Sequence, residues 1–390
     1  MINFSEKIEN VKPSATLAIT SKAKAMKAKG EDVVIFAAGE PDFDTPEVIK
    51  EAAIKAIKDG FTKYTPASGV LSLKEAIVSK LLKDNELDYS TDQIVVSNGA
   101  KHSIYNVLQV LLNPLDEVLL ISPYWLSYPE MVCLSGAVPK VIKTDIKNDF
   151  KLDISDLKSA ITNKTRVLII NSPSNPAGIV YEKEELEKIV DICVSNNILI
   201  ISDEIYEKII FDGKKHVSIA SISKEAYDST ILINGVSKSY SMTGWRIGYM
   251  AANEQIIKKV STLQSHSTSN PCAISQMASC CALSCNSLDD ILEKNRQKFQ
   301  NRRDLLIDML KTETRIKPIV PKGAFYLFCD ISSFGFDSFS FAEKLLVDKK
   351  IAVIPGGPFG EDGFIRISFA VDSNTIEKGI NRLKDWVRNI

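Results

Sequence analysis

The chain has 390 residues, of which 45% are hydrophobic and 25% are charged, and its formal net charge is −1. This composition is typical of a soluble globular protein, and the length suggests two domains of ~100–200 residues each. The balanced charge gives no electrostatic reason to expect nucleic acid or an anionic membrane as a partner, so small molecules are the expected partners.

The N-terminal segment, residues 1–30, does not resemble a targeting sequence. It lacks an apolar core for secretion, contains no arginine, and carries acidic residues among its lysines, so we interpret the lysines as a solvated helix face. No apolar run is long enough to span a membrane. The seven cysteines are odd in number, and none has Cys-x-x-Cys spacing, which favours a reducing cytoplasm over a disulfide framework or a metal site.

From about residue 94, short β-branched runs alternate with longer amphipathic segments, which predicts β–α units around a largely parallel sheet. The continuous apolar runs RVLIIN and ILIISD indicate strands covered on both faces. The predicted strands are Ile94–Ser97, Glu117–Ser122, Arg166–Asn171, Ile198–Asp203, Thr230–Asn234 and Arg246–Ala251. The predicted helices between them include Lys101–Leu112 and Glu182–Asn196.

The last hundred residues change character and predict a second, smaller α+β domain. A long charged helix over Leu288–Lys311 is followed by predicted strands at Ala324–Cys329, Ile351–Pro355 and Phe364–Phe369. No early strand pattern feeds the central sheet, so we expect the N-terminal segment to pack beside this domain. The predicted division is therefore a large domain over 48–288 and a small domain over 1–47 and 289–390.

The segment SNGAKHS follows the first predicted strand and opens a helix. The backbone N–H groups of Gly99, Ala100 and Lys101 are candidates for a phosphate cradle at a helix N-terminus. The segment is neither a Walker motif nor a dinucleotide-binding fingerprint.

Two further loops follow predicted strands. Trp125, in PYWLSYPE, could stack on the planar ring of a ligand, or it could be a half-buried packing residue. In NSPSNPAG, two prolines and a glycine force an irregular turn, which could fix Asn175 over the same ring or could be only a turn.

Asp203 ends the buried strand pattern ILIISD, at the edge where open α/β sheets bind their ligands. There it could pair with a protonated ring nitrogen, and a helix N-cap is the alternative. Tyr206, three residues later, could donate a hydrogen bond to a ring oxygen, or it could simply pack in a helix.

Lys238 follows one predicted strand and Arg246 starts the next, so that one loop could bring both into a cleft. A desolvated amine near cations has a lowered pKa, as condensation with an aldehyde requires. The planar fork of an arginine suits a phosphate. Taken alone, Lys238 could equally be an ordinary surface lysine.

Arg366 stands between Ile365 and Ile367 in the strand pattern FIRISFA. Its side chain projects to the face opposite these apolar neighbours, where a guanidinium needs a carboxylate or a cleft. The α-carboxylate of a substrate would satisfy it.

Seven motifs occur in register along nearly the whole chain: GEPDFDTP, KYTPASG, PYWLSYPE, NSPSNPAG, SDEIY, SKSYSMTGWRIGY and FIRISFA. In order and spacing they resemble the class I/II aminotransferases of fold type I, which depend on pyridoxal 5'-phosphate (PLP). The likeness is strongest to the bacterial aspartate aminotransferase subgroup that includes aspartate/prephenate aminotransferases. It implies an α/β fold with a mainly parallel seven-stranded sheet between helices and a smaller α+β domain.

The resemblance assigns a role to each candidate. Lys238 resembles the lysine that binds PLP, Asp203 the partner of the ring nitrogen, and Arg366 the arginine that grips the substrate carboxylate. The remaining assignments are Tyr206 and Asn175 on the ring oxygen, Trp125 stacking on the ring, Arg246 on the phosphate, Gly39 touching substrate through its backbone, and Tyr64 reaching the phosphate of the neighbouring subunit. The resemblance thereby implies a homodimer with an active site shared across subunits.

Two positions depart from the pattern. Ala177 replaces the usual threonine of the Asn-Pro-x-Gly turn, which we expect to alter loop hydrogen bonding rather than chemistry. Gly235 stands where many relatives carry a phosphate-binding serine, and Ser237 is a candidate substitute.

The resemblance implies transfer of an amino group from aspartate or glutamate to 2-oxoglutarate or oxaloacetate by a ping-pong mechanism, with Lys238 moving the proton. Lys12, Thr16 and Lys101 are expected to recognise the distal carboxylate, and Lys12 resembles the feature linked to prephenate. The alternatives are an aromatic or alanine aminotransferase, a β-lyase or cyclopropane-forming synthase, and a non-catalytic PLP-binding regulator. No metal is expected, because His102, His216 and His266 are scattered along the sequence.

Overall fold

The structure, a computed structural model, describes residues 2–9, 11–312 and 315–390. Its strands are β1 Val34–Ile35, β2 Ile94–Ser97, β3 Glu117–Ile121, β4 Val138–Ile142, β5 Thr165–Asn171, β6 Leu199–Asp203, β7 Thr230–Gly235, β8 Gly248–Ala251, β9 Lys317–Ile319, β10 Tyr326–Asp330, β11 Ile351–Ala352, β12 Ile354–Pro355 and β13 Phe364–Ser368.

The α-helices of the described residues lie between these strands and around them. They are α1 Glu6–Glu9, α2 Ala15–Ala28, α3 Glu47–Lys58, α4 Leu71–Asn85, α5 Ala100–Leu111, α6 Ser127–Leu134, α7 Ile154–Ala160, α8 Lys183–Ser195, α9 Lys224–Ser229, α10 Glu254–Ser267, α11 Ala273–Ser284, α12 Asp289–Leu310, α13 Ser338–Lys349 and α14 Ser373–Val387.

The main sheet has seven strands in the order β2-β8-β7-β6-β5-β3-β4. All its pairs are parallel except those of β8, which runs antiparallel to both of its neighbours. Successive residues of β5 enter different hydrophobic clusters, since Leu168 belongs to one cluster and Val167 and Ile169 belong to another. The sheet is therefore covered on both faces, as its apolar runs predicted.

All six predicted strands of the central sheet are present, and two details differ. The edge strand β4 was not predicted, because its sequence VPKVI contains a proline and a lysine and is only partly buried. The last predicted strand begins at Gly248 rather than at Arg246, because Arg246 has a left-handed backbone with φ 57° that a strand cannot contain.

Two smaller sheets are built mostly from the C-terminal part of the chain. The strands β12, β13, β10 and β9 form an antiparallel sheet in that order. The short strand β1 pairs in parallel with β11, Val34 opposite Ile351, so the N-terminal segment joins the C-terminal one. The predicted strand Ile351–Pro355 is divided at Val353 between two sheets, and β9 was not predicted. The domain division at residues 48 and 288 stays a prediction.

Two features bear on the surroundings in which the protein works. Every one of the seven cysteines lies within the described residues and is a free thiol. Among the described helices, none combines the length and the apolar character that crossing a bilayer requires.

Candidate active site

The carboxyl ends of the neighbouring parallel strands β5, β6 and β7 meet at one edge of the main sheet. A cleft of about 300 Å³ opens there, where a doubly covered parallel sheet binds its ligands. Its lining contains most of the residues that the sequence singled out: Thr16, Gly39, Ala100, Lys101, Trp125, Asn175, Asp203, Tyr206, Ser237, Lys238, Arg246 and Arg366.

Lys238 lies in the loop that follows β7, and its side chain points into the cleft. The ammonium donates a hydrogen bond of 2.6 Å to the carbonyl oxygen of Gly39. Burial lowers the pKa of Lys238 to about 8; Glu40 opposes this shift, whereas Arg366 and Arg246 add to it. An appreciable fraction of the amine is therefore unprotonated near neutral pH, as a nucleophilic lysine requires.

Asp203 is the last residue of β6 and is buried, and turns rather than a helix follow it. The helix N-cap alternative is therefore wrong. The Tyr128 hydroxyl donates to Oδ2 of Asp203 at 2.7 Å, and the N–H of Ile205 donates to Oδ1 at 3.3 Å. Burial raises the pKa of Asp203 to about 6, against the opposing effect of these two hydrogen bonds. A positively charged ring nitrogen against this carboxylate would favour its ionised form.

Arg366 lies on β13 and is only 2% exposed. Nη1 donates to Oδ1 of Asn175 and Nη2 donates to the carbonyl oxygen of Ala37, both at 3.0 Å. Its Nε has no hydrogen-bond partner, and no carboxylate among the described residues forms an ion pair with it. A buried guanidinium without an anion is costly, so this corner of the cleft is suited to a ligand carboxylate.

Asn175 owes its place to the irregular turn predicted from the NSPSNPAG motif. Its backbone N–H donates to Oδ1 of Asn171 at 2.8 Å, and Nδ2 of Asn171 donates to the carbonyl oxygen of Asp203 at the same distance. The ends of β5 and β6 are thereby joined below the cleft.

The hydroxyls of Tyr206 and Tyr326 are 2.9 Å apart in the buried wall of the cleft. Burial raises the pKa of Tyr206 well above its usual value, so the phenol stays neutral and able to donate. Tyr206 lies in a turn, so its packing in a helix is excluded. Sequence reasoning missed Tyr326, which stands in an apolar strand, and Tyr128, which stands in the motif PYWLSYPE, because nothing in either segment marks the hydroxyl as functional.

A second corner of the cleft is suited to phosphate. Gly99 has φ +89°, and a Cβ on it would lie 2.5 Å from Nη2 of Arg246, so a side chain there would push the guanidinium out of its present position. Nη1 and Nη2 of Arg246 donate only to the carbonyl oxygens of Thr243 and Asn98, and no described acidic residue pairs with it. The N-terminus of α5 begins at Ala100 beside it. An unpaired arginine at a helix N-terminus is a favourable anion site.

The glycine that departs from the family pattern is explained by packing. A Cβ on Gly235 would lie 3.0 Å from both the Cα of Gly248 and the carbonyl oxygen of Ile247, so a side chain there requires neighbouring backbone to shift. Ser237 lines the cleft two residues later. Its role as a substitute phosphate ligand stays a prediction.

Trp125, Lys101 and Thr16 form the outer wall of the cleft. Nζ of Lys101 lies 4.8 Å from the ring centre of Trp125, and burial together with Arg246 lowers the pKa of the lysine. Oγ1 of Thr16 is buried without a hydrogen-bond partner among the described residues. A cation and an unsatisfied hydroxyl thus face the same space, which suits a second carboxylate.

Three predicted residues do not line the cleft. Gly99 lies against Arg246, which does line the cleft. The backbone of Lys12 donates to Glu130 at 2.9 Å, but its exposed side chain is not among the lining groups. Tyr64 is 92% exposed and borders a separate depression with residues 268–274.

A buried charged network lies directly behind Asp203. Glu204 accepts hydrogen bonds from Ser202 and Ser218 at 2.8 Å and lies 2.7 Å from Nε2 of His216. Glu207, the other acid of the network, forms an ion pair with Lys80. Glu204, Glu207 and His216 are close enough to hold a metal ion, but the Lys80 ammonium already supplies a cation there. His216 is therefore part of this network.

Comparison with known proteins agrees with this geometry. Residues 31–383 match the family described as aminotransferase class I and II. The chain is 49% identical to an aspartate aminotransferase of Bacillus sp. (strain YM-2) and 44% identical to a probable aspartate/prephenate aminotransferase of Aquifex aeolicus; each match covers 99% of both chains.

Solved structures give the same result at the level of the fold. The aspartate aminotransferase of Thermus thermophilus with maleate superposes with a TM-score of 0.95 at 38% identity, covering 99% of this chain and 100% of that one. The aspartate aminotransferase of Rhizobium meliloti gives a TM-score of 0.94 at 37% identity, covering 99% and 98%. The predicted fold is confirmed, and the chain belongs to the class I and II aminotransferase family.

Proposed function

We propose that this protein is a PLP-dependent transaminase that moves the amino group between L-aspartate or L-glutamate and a 2-oxo acid, either 2-oxoglutarate or oxaloacetate. The observation that carries the proposal is the convergence of an activated amine, a buried strand-end acid and an unpaired buried arginine in one cleft: Lys238, Asp203 and Arg366. Relatives that match over nearly their whole length bear the name aspartate aminotransferase, which supports the same reaction.

The residues present fit PLP. Arg246 lacks an acidic partner among the described residues, and Gly99 leaves the space that Arg246 occupies beside the N-terminus of α5, so a phosphate would be held there. Asp203 would hold the ring nitrogen, and Asn175 with Tyr206 would hold the ring oxygen. When bound, this cofactor withdraws electrons from the Cα of the amino acid.

The side chains of the cleft divide the work of the reaction. Arg366 binds the α-carboxylate and thereby fixes the Cα–H bond relative to Lys238. With the cofactor bound, Lys238 would take the proton from the substrate Cα as general base and later return it as general acid. Asp203 must remain ionised to keep the ring nitrogen protonated. A second oxo acid then takes the amino group in the reverse direction, so ping-pong kinetics are expected.

Lys101 and Thr16 support a dicarboxylic substrate. The lysine ammonium and the unsatisfied Oγ1 lie in the outer wall, on the same cleft as Arg366. The aspartate aminotransferase of Thermus thermophilus was solved with maleate, which is a dicarboxylate. For prephenate the support comes from the names of relatives, because Lys12, the residue linked to it, lies outside the cleft.

We also propose that the protein works as a homodimer, in the cytoplasm, and that Tyr64 reaches the phosphate in the partner's cleft. A tyrosine that is 92% exposed and removed from the cleft of its own chain supports this role. Sedimentation analysis and the PLP affinity of a Tyr64→Phe variant test it. A monomer, or a variant with unchanged affinity, overturns it.

An absorbance titration of the PLP-loaded protein tests the proposed function. Addition of aspartate should convert the visible band of the bound cofactor into a near-ultraviolet band, and 2-oxoglutarate should restore it. Lys238→Ala should abolish this cycle, whereas Lys215→Ala, at an exposed lysine, should not. Release of ammonia or pyruvate without a need for an oxo acid would contradict transamination and indicate a β-lyase.

A further inference from the structure

Tyr326 lies between two of the groups that the proposed function uses. It is on β10, where Phe328, two residues further on the same face, pairs with Arg366 of β13. This register puts the ring centre of Tyr326 4.3 Å from Cζ of Arg366. The hydroxyl of Tyr326 lies 2.9 Å from that of Tyr206, and the side chain is only 1% exposed.

The ring of Tyr326 supports the guanidinium of Arg366. This guanidinium forms no ion pair with any described carboxylate, and its hydrogen bonds go only to the amide oxygen of Asn175 and a backbone carbonyl. The face of a tyrosine ring attracts a cation, most strongly where water is excluded. Phe359 offers a second ring at 5.4 Å, so Tyr326 is the nearer of the two.

The hydroxyl of Tyr326 affects what Tyr206 can donate. A phenol has one O–H to donate, so only one of these two hydroxyls can donate within the pair. If Tyr206 donates to Tyr326, it has no proton left for a ligand. If Tyr326 donates, the proton of Tyr206 is available, and accepting a hydrogen bond also makes Tyr206 a stronger donor.

We propose that Tyr326 is a positioning residue that serves both groups at once. Its hydroxyl donates to Tyr206, so that Tyr206 donates to the ring oxygen of the cofactor, and its ring face holds Arg366 ready for the substrate carboxylate. The inference rests on the proposed function of the cleft. It adds a physical link between the group that binds substrate and the group that sets the acidity of the cofactor.

Two substitutions separate the two roles. Tyr326→Phe removes the hydroxyl and keeps the ring face, whereas Tyr326→Leu removes both. Tyr89→Phe is the matched control, because Tyr89 is equally buried and its hydroxyl has no hydrogen-bond partner among the described residues. The first measurement is a pH titration of the visible band of the PLP-loaded proteins, and the second is KM for aspartate.

In Tyr326→Phe, Tyr206 should be a weaker hydrogen-bond donor to the ring oxygen of the cofactor. The unprotonated cofactor is then less stabilised, so the midpoint of the pH titration should move to higher pH. Tyr89→Phe should titrate like the wild type. KM for aspartate should be about twofold to thirtyfold higher in Tyr326→Leu than in Tyr326→Phe. This is the range expected for the loss of one cation–π contact.

The outcomes are distinguishable. A Tyr326→Phe protein that titrates like Tyr89→Phe overturns the role of the hydroxyl, and equal KM values in the Phe and Leu variants overturn the role of the ring. A wild-type protein that takes up no PLP overturns the proposed function and this inference together. Normal uptake with unchanged variants overturns the inference alone.

Discussion

Tyr128 donates a hydrogen bond of 2.7 Å to Oδ2 of Asp203, and both side chains are buried. The bond favours the ionised carboxylate, in opposition to burial, which raises the pKa of Asp203 to about 6. Tyr128 thus helps to maintain the charge on which the proposed chemistry depends.

Tyr128→Phe should raise the pKa of Asp203 further. The ionised Asp203 carboxylate is needed to hold a protonated ring nitrogen. The affinity for PLP should therefore fall as pH decreases through about 6 in the wild type, and the fall should begin at a higher pH in the variant. Near pH 6 the loss should be about tenfold, as expected for one hydrogen bond to a charged group. Equilibrium titration with PLP between pH 5 and 8 measures it, and superimposable curves would contradict the assignment.

Arg366→Lys should raise KM for aspartate by about a hundredfold or more, because an ammonium cannot donate two parallel hydrogen bonds to a carboxylate. The Kd of maleate should rise in parallel. Arg388→Lys, at an exposed arginine near the C-terminus, is the control and should change neither. Steady-state kinetics with aspartate and a binding titration with maleate measure the effect, and unchanged values would remove Arg366 from the substrate site.

Gly99→Ala should weaken PLP binding at least about tenfold, because the new methyl group displaces Arg246 from the phosphate corner. Gly30→Ala is the control: Gly30 shares the positive φ, +88°, but a Cβ there meets nothing within 4 Å. Both variants should lose stability through backbone strain, and Gly99→Ala should lose more, because its φ of 89° with ψ of 159° is essentially restricted to glycine. Thermal unfolding and PLP titration measure the two effects, and equal PLP affinities would be inconsistent with the phosphate site.

Lys101→Met and Thr16→Val should each raise KM for aspartate and leave KM for alanine nearly unchanged, because alanine has no distal carboxylate. About tenfold is expected for the lysine, from the loss of one charge-assisted hydrogen bond. Kinetics with both amino acids measure the ratio. An equal effect on aspartate and alanine would place these residues on the cofactor rather than on the distal carboxylate.

The Glu207–Lys80 ion pair should make the free energy of unfolding depend on pH in the acid range. Burial alone would raise the pKa of the Glu207 carboxyl, but the Lys80 ammonium lowers it to about 2, below the ordinary 4.5. A depressed carboxyl pKa stabilises the fold above pH 4.5, and this contribution is lost as pH falls from 4.5 to 2. A Glu207→Gln/Lys80→Met double variant, which leaves no unpaired charge, should show a flatter dependence in denaturant unfolding. An equally steep dependence would be evidence against the pair.

The sequence predicted which side chains lie together in the cleft where a short motif fixes both residue type and backbone. Asp203 ends a buried strand of the main sheet, and Lys238 and Asn175 follow the two strands beside it, so their meeting at one edge follows from parallel pairing. Tyr326 and Tyr128 could not be predicted in the same way. Their hydroxyls meet Tyr206 and Asp203 only through contacts between segments far apart in sequence, and neither the strand that carries Tyr326 nor the helix that carries Tyr128 gives a sign of that.

The exact ends of the strands were harder to predict from the sequence than the presence of the strands. Arg246 looks like the start of a strand because the apolar residues Ile247, Tyr249 and Met250 follow it, yet its left-handed backbone ends a turn and aims the guanidinium at the helix N-terminus. Lys12 was expected to contact substrate because of the family resemblance. Its exposed side chain lies outside the cleft, in a loop whose course no periodicity encodes.

The pairing of β1 with β11 has a consequence for the order of folding during synthesis. Residues 37 and 39, just after β1, supply the carbonyl oxygens that receive Arg366 and Lys238. The strand β1 just before them has no partner until residues 351–352 have left the ribosome, whereas the seven strands of the main sheet are complete at residue 251. A growing chain can therefore complete its central sheet well before residues 351–352 and Arg366, which complete the cleft, have been made.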